Sequence, residues 1–198
     1  DIIGVGSFEE SPHNCFDIYS FRENQLNLEY KSDTFQFPLT CCKFSPNPMN
    51  DFNEFFLTGS DNVKLYEIKS TDDLKLNVNL LSKFQINDTK NPVTALDWSH
   101  NDRTLAIVAS TDNSISILDF AAETMSAKIL VHDNPIFDCA FCDGHNTFVT
   151  AGCDGSLRFI DSRDLSSITV LYQAAMPLLR LAVYPSDPNL IAVFGRAA

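Results

Sequence analysis

The stretch from Ile136 to Asp161 decides the fold, and it reads IFDCAFCDGHNTFVTAGCDGSLRFID. Three short apolar runs alternate with two turns rich in glycine and aspartate, a pattern that predicts three antiparallel strands. In the first run Phe137, Cys139 and Phe141 share one face, because successive side chains of a strand point to opposite sides. A sheet of this size cannot bury an apolar face alone, so it requires neighbouring sheets of the same kind.

The same pattern recurs along the chain and supplies those neighbours. An aspartate in the turn before the third strand appears three times, as Asp61, Asp112 and Asp154. The spacing suits repeated units of roughly 40–45 residues, the length of one propeller blade. A large apolar residue near the end of the first strand appears four times, as Phe44, Trp98, Phe141 and Val183.

The ends of the third strands carry a resemblance to a known family. Leu65-Tyr66-Glu67, Ile117-Leu118-Asp119 and Phe159-Ile160-Asp161 resemble the Trp-Asp ending that names the WD repeat, although the tryptophan itself is absent from all three. Val131-His132-Asp133 stands where that family has Gly-His. The resemblance implies an all-β chain with the fold of a WD40-type β-propeller, which we expect to have about seven blades when complete.

On this interpretation the chain covers three whole blades and two partial ones, as a contiguous part of a larger propeller. An isolated arc of blades would expose apolar faces at both of its ends. The predicted boundaries are a partial first blade at 1–34, a second at 35–91, a third at 92–133, a fourth at 134–174 and a partial fifth at 175–198.

Several adjoining segments narrow the resemblance to one group of WD-repeat proteins. Their order is similar to that in the plant anthocyanin and trichome regulators of the Transparent Testa Glabra type and their animal and fungal counterparts. That group implies a non-catalytic scaffold that brings kinases or transcription factors together. The segments are Gly6 to Glu10, Pro92 to Trp98, Val131 to Asp133, Phe137 to Phe141, Gly155 to Leu165, Leu178 to Leu181 and Ser186 to Asn189.

Some animal members of the group resemble substrate receptors of cullin-RING ubiquitin ligases. These receptors use an arginine two residues after the Trp-Asp position to contact the ligase adaptor, and Arg163 occupies that position here. In the alternative interpretation, Arg163 pairs at the surface with Asp161 or Asp164.

Composition and charge limit the classes of partner. The chain has 198 residues, of which 44% are hydrophobic, and a formal net charge of −12. This charge opposes direct contact with nucleic acid and favours proteins with basic patches. No apolar run approaches the ~20 residues that span a bilayer, so we expect no membrane contact and a location in cytoplasm and nucleus.

The cysteines do not predict a metal or cofactor site. Cys139 and Cys142 are three residues apart, so on a strand they point to opposite faces. They cannot converge on one ion without a bulge, and we interpret them as small buried hydrophobic residues. No cofactor, metal site or catalytic residue is predicted.

The repeated acidic residues can be interpreted as catalytic or as structural. Asp112 and Asp154 could form a glycosidase-like carboxylate pair. Because Asp61, Asp112 and Asp154 occupy the same place in successive repeats, we interpret all three as turn aspartates that accept backbone N–H bonds. His100 and His145 are expected on the opposite rim from His132, so the three cannot form one site.

The favoured function is a scaffold for protein–protein interactions, with partners docking on the rim that carries the turn aspartates. Two alternatives stay open, an acidic propeller that binds basic histone-like tails and a hydrolytic propeller. The candidate partner-binding residues on this rim are Thr111, Asn113, His132, Asp133 and Asn134.

Overall fold

The structure is a computed structural model that describes residues 2–7, 13–22, 24–32, 34–35, 37–46, 53–70, 76–86 and 91–196. Across these ranges the chain forms β-strands and turns. The strands are β1 (Ile2–Gly6), β2 (Phe16–Arg22), β3 (Gln25–Lys31); β4 (Cys41–Phe44), β5 (Asn53–Gly59), β6 (Val63–Ser70), β7 (Leu76–Phe84); β8 (Val93–Trp98), β9 (Leu105–Ser110), β10 (Ser114–Asp119), β11 (Thr124–Leu130); β12 (Ile136–Phe141), β13 (Thr147–Gly152), β14 (Ser156–Asp161), β15 (Ile168–Gln173); β16 (Leu178–Tyr184) and β17 (Asp187–Gly195).

The strands form successive antiparallel meanders. β1–β3 make a three-stranded sheet, β4–β7, β8–β11 and β12–β15 make four-stranded sheets, and β16 pairs with β17. The first strands of consecutive sheets lie against one another, β4 against β8, β8 against β12 and β12 against β16. These strands therefore form the inner side of the array, and the predicted all-β propeller fold is confirmed. The blade boundaries and the total of seven blades stay predictions.

The hydrophobic core lies between the sheets. Strand β9 shows the reason, because its side chains alternate between two faces. Ala106 and Val108 belong to a cluster shared with the second sheet, whereas Ile107 and Ala109 belong to a cluster shared with the fourth. Similar clusters join the first sheet to the second and the fourth to the fifth.

The two cysteines of β12 and its following turn point to opposite faces, as predicted. Cys139 is buried in the cluster between the third and fourth sheets, and Cys142 packs against the cluster between the fourth and fifth. Both are free thiols. Burial raises the pKa of Cys142 to about 12 and that of Cys139 well above its ordinary value, so both stay protonated at neutral pH.

A core substitution tests the packing between sheets. Phe148 on β13 is fully buried at the junction of the third and fourth sheets. We expect Phe148→Ala to lower the free energy of unfolding by about 3–5 kcal/mol, because it leaves a cavity between two sheets. Val170→Ala on the exposed strand β15 is the matched control, with an expected cost of about 0.5 kcal/mol or less. Urea denaturation measures both, and equal costs would contradict the packing described here.

Candidate functional site

The turn between β13 and β14 carries the most extensive polar network of the rim. Gly155 has a φ of +77°, and an added Cβ would lie 2.5 Å from the Ala174 carbonyl oxygen, so this turn requires glycine. Asp154 Oδ1 accepts hydrogen bonds from the Ser156 backbone N–H at 2.9 Å and from the Ser156 hydroxyl at 2.7 Å. The predicted role of Asp154 as a turn aspartate is seen in these bonds.

His132 fixes this turn to the loop that enters the fourth sheet. Its Nδ1 lies 3.0 Å from both Asp154 carboxylate oxygens, and its Nε2 lies 2.8 Å from the Thr150 hydroxyl. A neutral ring that donates from Nδ1 to Asp154 and accepts at Nε2 from Thr150 satisfies both contacts. The side chain is fully buried. The His132 ring is therefore not exposed at the surface, and partner binding at this rim stays a prediction.

Burial and hydrogen bonding shift the pKa values of this pair. Burial lowers the pKa of His132, and the neighbouring Asp154 opposes this effect without reversing it. Burial opposes ionisation of Asp154, but hydrogen bonds from Ser156 and His132 outweigh it and hold its pKa at about 2. His132 is therefore neutral and donates a hydrogen bond to the Asp154 carboxylate, so the two side chains do not form an ion pair.

Arg158 extends the network to the surface. Its guanidinium donates to the Val131 carbonyl at 2.6 Å, to Asp154 Oδ2 at 3.0 Å and to Asp133 Oδ2 at 3.3 Å. Sequence reasoning missed this residue. The signal was present, because Ser156 and Arg158 alternate along β14 and so share one face.

The equivalent turn of the third sheet uses different partners. Asp112 Oδ1 accepts from the Ser114 hydroxyl at 2.5 Å and from the Ser110 hydroxyl. Lys128 on β11 supplies the cation, with its Nζ 2.8 Å from Asp112 Oδ2. Burial opposes ionisation of Asp112, and the hydrogen bonds from Lys128 and the two serines outweigh it, so its pKa is lowered.

In the second sheet Asp61 occupies the same turn, between β5 and β6, but is bonded differently. It accepts a hydrogen bond from the Asn62 side chain at 2.7 Å. Val63 stands where the other two turns have Ser114 and Ser156, so the hydroxyl donor of those turns is missing. The three aspartates share a position, and the structure shows the serine network at Asp112 and Asp154.

The remaining rim candidates lie next to these turns. Asn113 has a φ of +67°, donates from Nδ2 to the Asp133 carbonyl at 3.1 Å and accepts from the His132 backbone N–H. The Thr111 backbone N–H donates to the Pro92 carbonyl at 3.1 Å. Asp133 and Asn134 are exposed. The structure therefore brings Asn113, Asp133 and Asp154 together on one rim.

Arg163 lies in the turn after β14, and its side chain is 68% exposed. Its guanidinium forms a two-pronged ion pair with Asp161, with Nε 2.9 Å from Oδ1 and Nη2 2.5 Å from Oδ2. Hydrogen bonds from Arg163 hold the pKa of Asp161 at about 2. The pairing weighed as the alternative for Arg163 is present, and the guanidinium is held in a fixed orientation at the surface.

The inner strands enclose a polar cavity of about 360 Å³. Asp97 accepts from Lys43 and from the Phe141 backbone N–H at 2.8 Å. Asp138 accepts from the Leu181 backbone N–H at 2.9 Å, and burial raises its pKa. Each carboxylate therefore ties its own inner strand to the next one.

An adjoining cavity of about 330 Å³ lies toward the rim opposite the turn aspartates and shares His100 with the central cavity; Asp143 and Tyr184 also line it. Over the ranges that the structure covers, no cluster of three or more histidine, cysteine or acidic side chains has the arrangement of a metal site. The same ranges hold no helix of the length and apolarity needed to cross a membrane.

The sheets are thus blades of a β-propeller, and the turn network of aspartate, histidine and serine or threonine fixes their rims. Two segments, residues 79–119 and 125–161, match the model of the WD domain, G-beta repeat. Each segment runs from the outer strand of one sheet through the first three strands of the next. The chain therefore contains WD repeats in these two segments.

Three relatives match nearly the whole chain. The DDB1- and CUL4-associated factor 7 homolog of Dictyostelium discoideum is 29% identical over 96% of this chain and 59% of its own length. An uncharacterized WD repeat-containing protein of Schizosaccharomyces pombe is 26% identical over 97% and 51%. A WD repeat-containing protein of Saccharomyces cerevisiae is 23% identical over 98% and 44%. The chain spans roughly half the length of the relatives it matches.

Replacing the Asp154 carboxylate with an uncharged amide tests the rim network. We expect Asp154→Asn to lower the free energy of unfolding by about 2–3 kcal/mol, because His132, Ser156 and Arg158 lose a charged acceptor. Asp133→Asn is the control, since the Asp133 side chain is 86% exposed, and it should cost about 0.5 kcal/mol or less. Urea denaturation at pH 7 measures the difference, and similar values for the two variants would rule out a structural role for the network.

The buried histidine predicts a pH dependence of stability. Because burial lowers the pKa of His132 in the folded state, the unfolded chain binds more protons as the pH falls below about 6.5. The contribution of His132 is complete above that pH and declines below it, by at most about 1.4 kcal/mol per pH unit. His132→Asn should reduce the pH dependence of the unfolding free energy between pH 6.5 and 5. Asn134→Ala, on the same loop, should leave that dependence unchanged. An unchanged slope in His132→Asn would contradict the neutral buried ring.

Proposed function

We propose that this chain is a non-catalytic scaffold that binds other proteins through the rims of its propeller. The observation that carries the proposal is the rim geometry. The buried His132 and the partly buried Asp154 hydrogen-bond to each other and hold the turn, and the exposed Asp133 and Asn134 lie next to them. A preorganised surface loses little conformational entropy when a partner binds.

The expected docking rim consists of Thr111, Asn113, Asp133 and Asn134. The net charge of −12 favours partners with basic segments, through complementary charge and faster association. Kinases and transcription regulators are the partner classes implied by the resemblance to the Transparent Testa Glabra type, and a location in cytoplasm and nucleus accompanies them. These assignments are proposals.

A ubiquitin ligase is the third proposed partner class. The name of the Dictyostelium relative associates that protein with DDB1 and CUL4. In this chain the orientation of Arg163 by Asp161 supports the same use, because a fixed, exposed guanidinium can bind a carboxylate or carbonyl of an adaptor at low entropic cost.

Two other functions are weighed against the scaffold. Binding of basic histone-like tails is favoured by the net charge. Hydrolysis is favoured by the presence of Asp97 and Asp138 in one central cavity. However, both carboxylates accept backbone N–H bonds from the adjoining inner strand. These bonds give both residues a structural role that does not require catalysis.

Affinity purification of the expressed protein tests the proposal. We expect kinases, transcription regulators or ligase subunits including DDB1 to co-purify. Arg163→Ala should reduce DDB1 recovery by about tenfold or more, since it removes a guanidinium at a direct contact, whereas Arg196→Ala, another exposed arginine, should not. A paired Asp133→Lys and Asn134→Lys variant should lose the other partners.

Two results would overturn the proposal. Recovery of none of these classes, together with turnover of a small hydrolysable substrate, would replace the scaffold with an enzyme. Equal DDB1 recovery by Arg163→Ala and the unsubstituted protein would show that Arg163 does not contact the adaptor. The Asp133→Lys and Asn134→Lys variant tests the other partners independently.

A further inference from the structure

An apolar groove opens between the second and third blades, on the rim opposite the turn aspartates. It encloses about 220 Å³, and its walls include Phe55, Leu65, Leu81, Trp98 and Phe120. Phe55 lies near the start of β5, Trp98 ends β8, and Phe120 follows β10. The turn aspartates lie at the other ends of these sheets, between β5 and β6 and between β9 and β10.

The aromatic walls are held in place by their own contacts. The ring centroids of Trp98 and Phe120 are 5.1 Å apart, and those of Phe84 and Phe120 are 5.6 Å apart. The Trp98 indole N–H donates to the Arg103 carbonyl at 2.8 Å. Trp98 is 2% exposed and its polar atom is already satisfied, so it forms the apolar floor of the groove.

Leu81 enters the groove because of a β-bulge. Tyr66 pairs with Leu80 and Leu65 pairs with Ser82, so Leu81 is the extra residue between them. A bulge re-aims the side chain of the inserted residue. Leu81 is 47% exposed. Much of its apolar side chain is therefore in contact with water.

The same bulge recurs in the fourth strands of the other blades, with Leu171 at the equivalent position of β15 and polar residues in the other two. Glu29 and Ser126 stand at the equivalent positions, where Glu29 accepts from Ser20 and Ser126 donates to the Ile117 carbonyl. Those two side chains are therefore used within their own sheets. Leu81 has no such bond to make, and the bulge turns it toward the groove instead.

The size of the groove indicates what it holds. Pockets for drug-sized ligands measure roughly 300–1,000 Å³, and this groove is smaller. It suits a single large apolar side chain, the kind of anchor that dominates binding at protein interfaces.

The charges next to the groove indicate what surrounds that anchor. Asp102 and Glu123 lie in the two turns that border it, Asp119 ends β10, and Glu54 precedes Phe55. Arg103 is the basic residue among the lining residues. Lys83 lies two residues after Leu81, so the four neighbouring acids outnumber the two neighbouring bases, and the whole chain is acidic. A basic segment is therefore the complementary ligand.

We propose that this groove binds a basic peptide segment of a partner protein by taking up one large apolar side chain between Leu81, Trp98 and Phe120. The inference rests on the proposed scaffold function and deepens it, because it gives the scaffold a second docking surface on the rim opposite Asp133 and Asn134. Two surfaces on opposite rims would let one propeller hold two partners together.

The single tryptophan of the chain is Trp98, so its fluorescence reports directly on occupancy of the groove. The probe is a short peptide of lysine and arginine with one central phenylalanine, titrated into the complete chain. Matched probes carry alanine in place of the phenylalanine, or glutamate in place of the basic residues. We expect saturable quenching or a spectral shift with the first probe, about tenfold weaker binding of the alanine probe, and no response to the acidic probe.

Two variants of adjacent leucines locate the binding. Leu81→Asp should weaken binding of the phenylalanine probe by about tenfold or more, because it places a carboxylate in the apolar wall. Leu80→Asp is the matched control, since Leu80 is the neighbouring residue of β7, is 52% exposed and pairs regularly with Tyr66; its effect should stay below about twofold. Circular dichroism confirms that both variants fold, and Phe120→Ala replaces Leu81→Asp as the test if the latter does not.

Equal binding of the phenylalanine and alanine probes would overturn the proposal, because it would show attraction to the acidic surface alone. Equal weakening by the Leu80 and Leu81 substitutions, or an absence of binding by every probe, would also overturn it. The rim variant with Asp133→Lys and Asn134→Lys should bind the phenylalanine probe as the unsubstituted chain does. For the unsubstituted protein, recovery of no partner class together with intact probe binding would count against the scaffold proposal only, and partner recovery without probe binding would count against the groove only.

Discussion

The second, third and fourth sheets of this protein each have two apolar faces, and a neighbouring sheet covers each face. The side chains of β9 illustrate this constraint, because Val108 packs toward the second sheet and Ile107 toward the fourth. Each hydrophobic core is shared by two neighbouring sheets, so the stability of each sheet depends on the sheets beside it. The turns and loops are thereby left at the two rims, where they are free to differ in sequence without disturbing the packing between blades.

The rim turns keep one geometry with different chemistry in each blade. Asp154 is held by a buried neutral histidine, Asp112 by a lysine from the outer strand of its own blade, and Asp61 by a neighbouring asparagine. The bulge of the fourth strand behaves in the same way, with Leu81 and Ser126 at equivalent positions. A repeated scaffold with variable rims is well suited to binding proteins of different kinds, because each partner meets a different surface on a common frame.

The fold could be predicted from the sequence because its signals are local. The two-residue alternation of β12 and the aspartates of the turns each lie within a few residues, and their repetition indicated the propeller. The side-chain partners depend on contacts between distant residues. His132 was predicted at the surface but is buried beside Thr150 and Asp154, which lie 18 and 22 residues away. The bulge at Leu81 was not foreseen, because one inserted residue leaves the pattern of a strand almost unchanged.

Native-state hydrogen exchange tests the central claim, that every core is shared by two blades. The measurement compares Val108→Ala, which opens a cavity toward the second sheet, with Ile107→Ala, which opens one toward the fourth. The account predicts that Val108→Ala speeds amide exchange in β5 and β6 and that Ile107→Ala speeds it in β13 and β14, in addition to the third blade. Faster exchange confined to β8–β11 in both variants would show that the third blade holds its own core and would contradict the account.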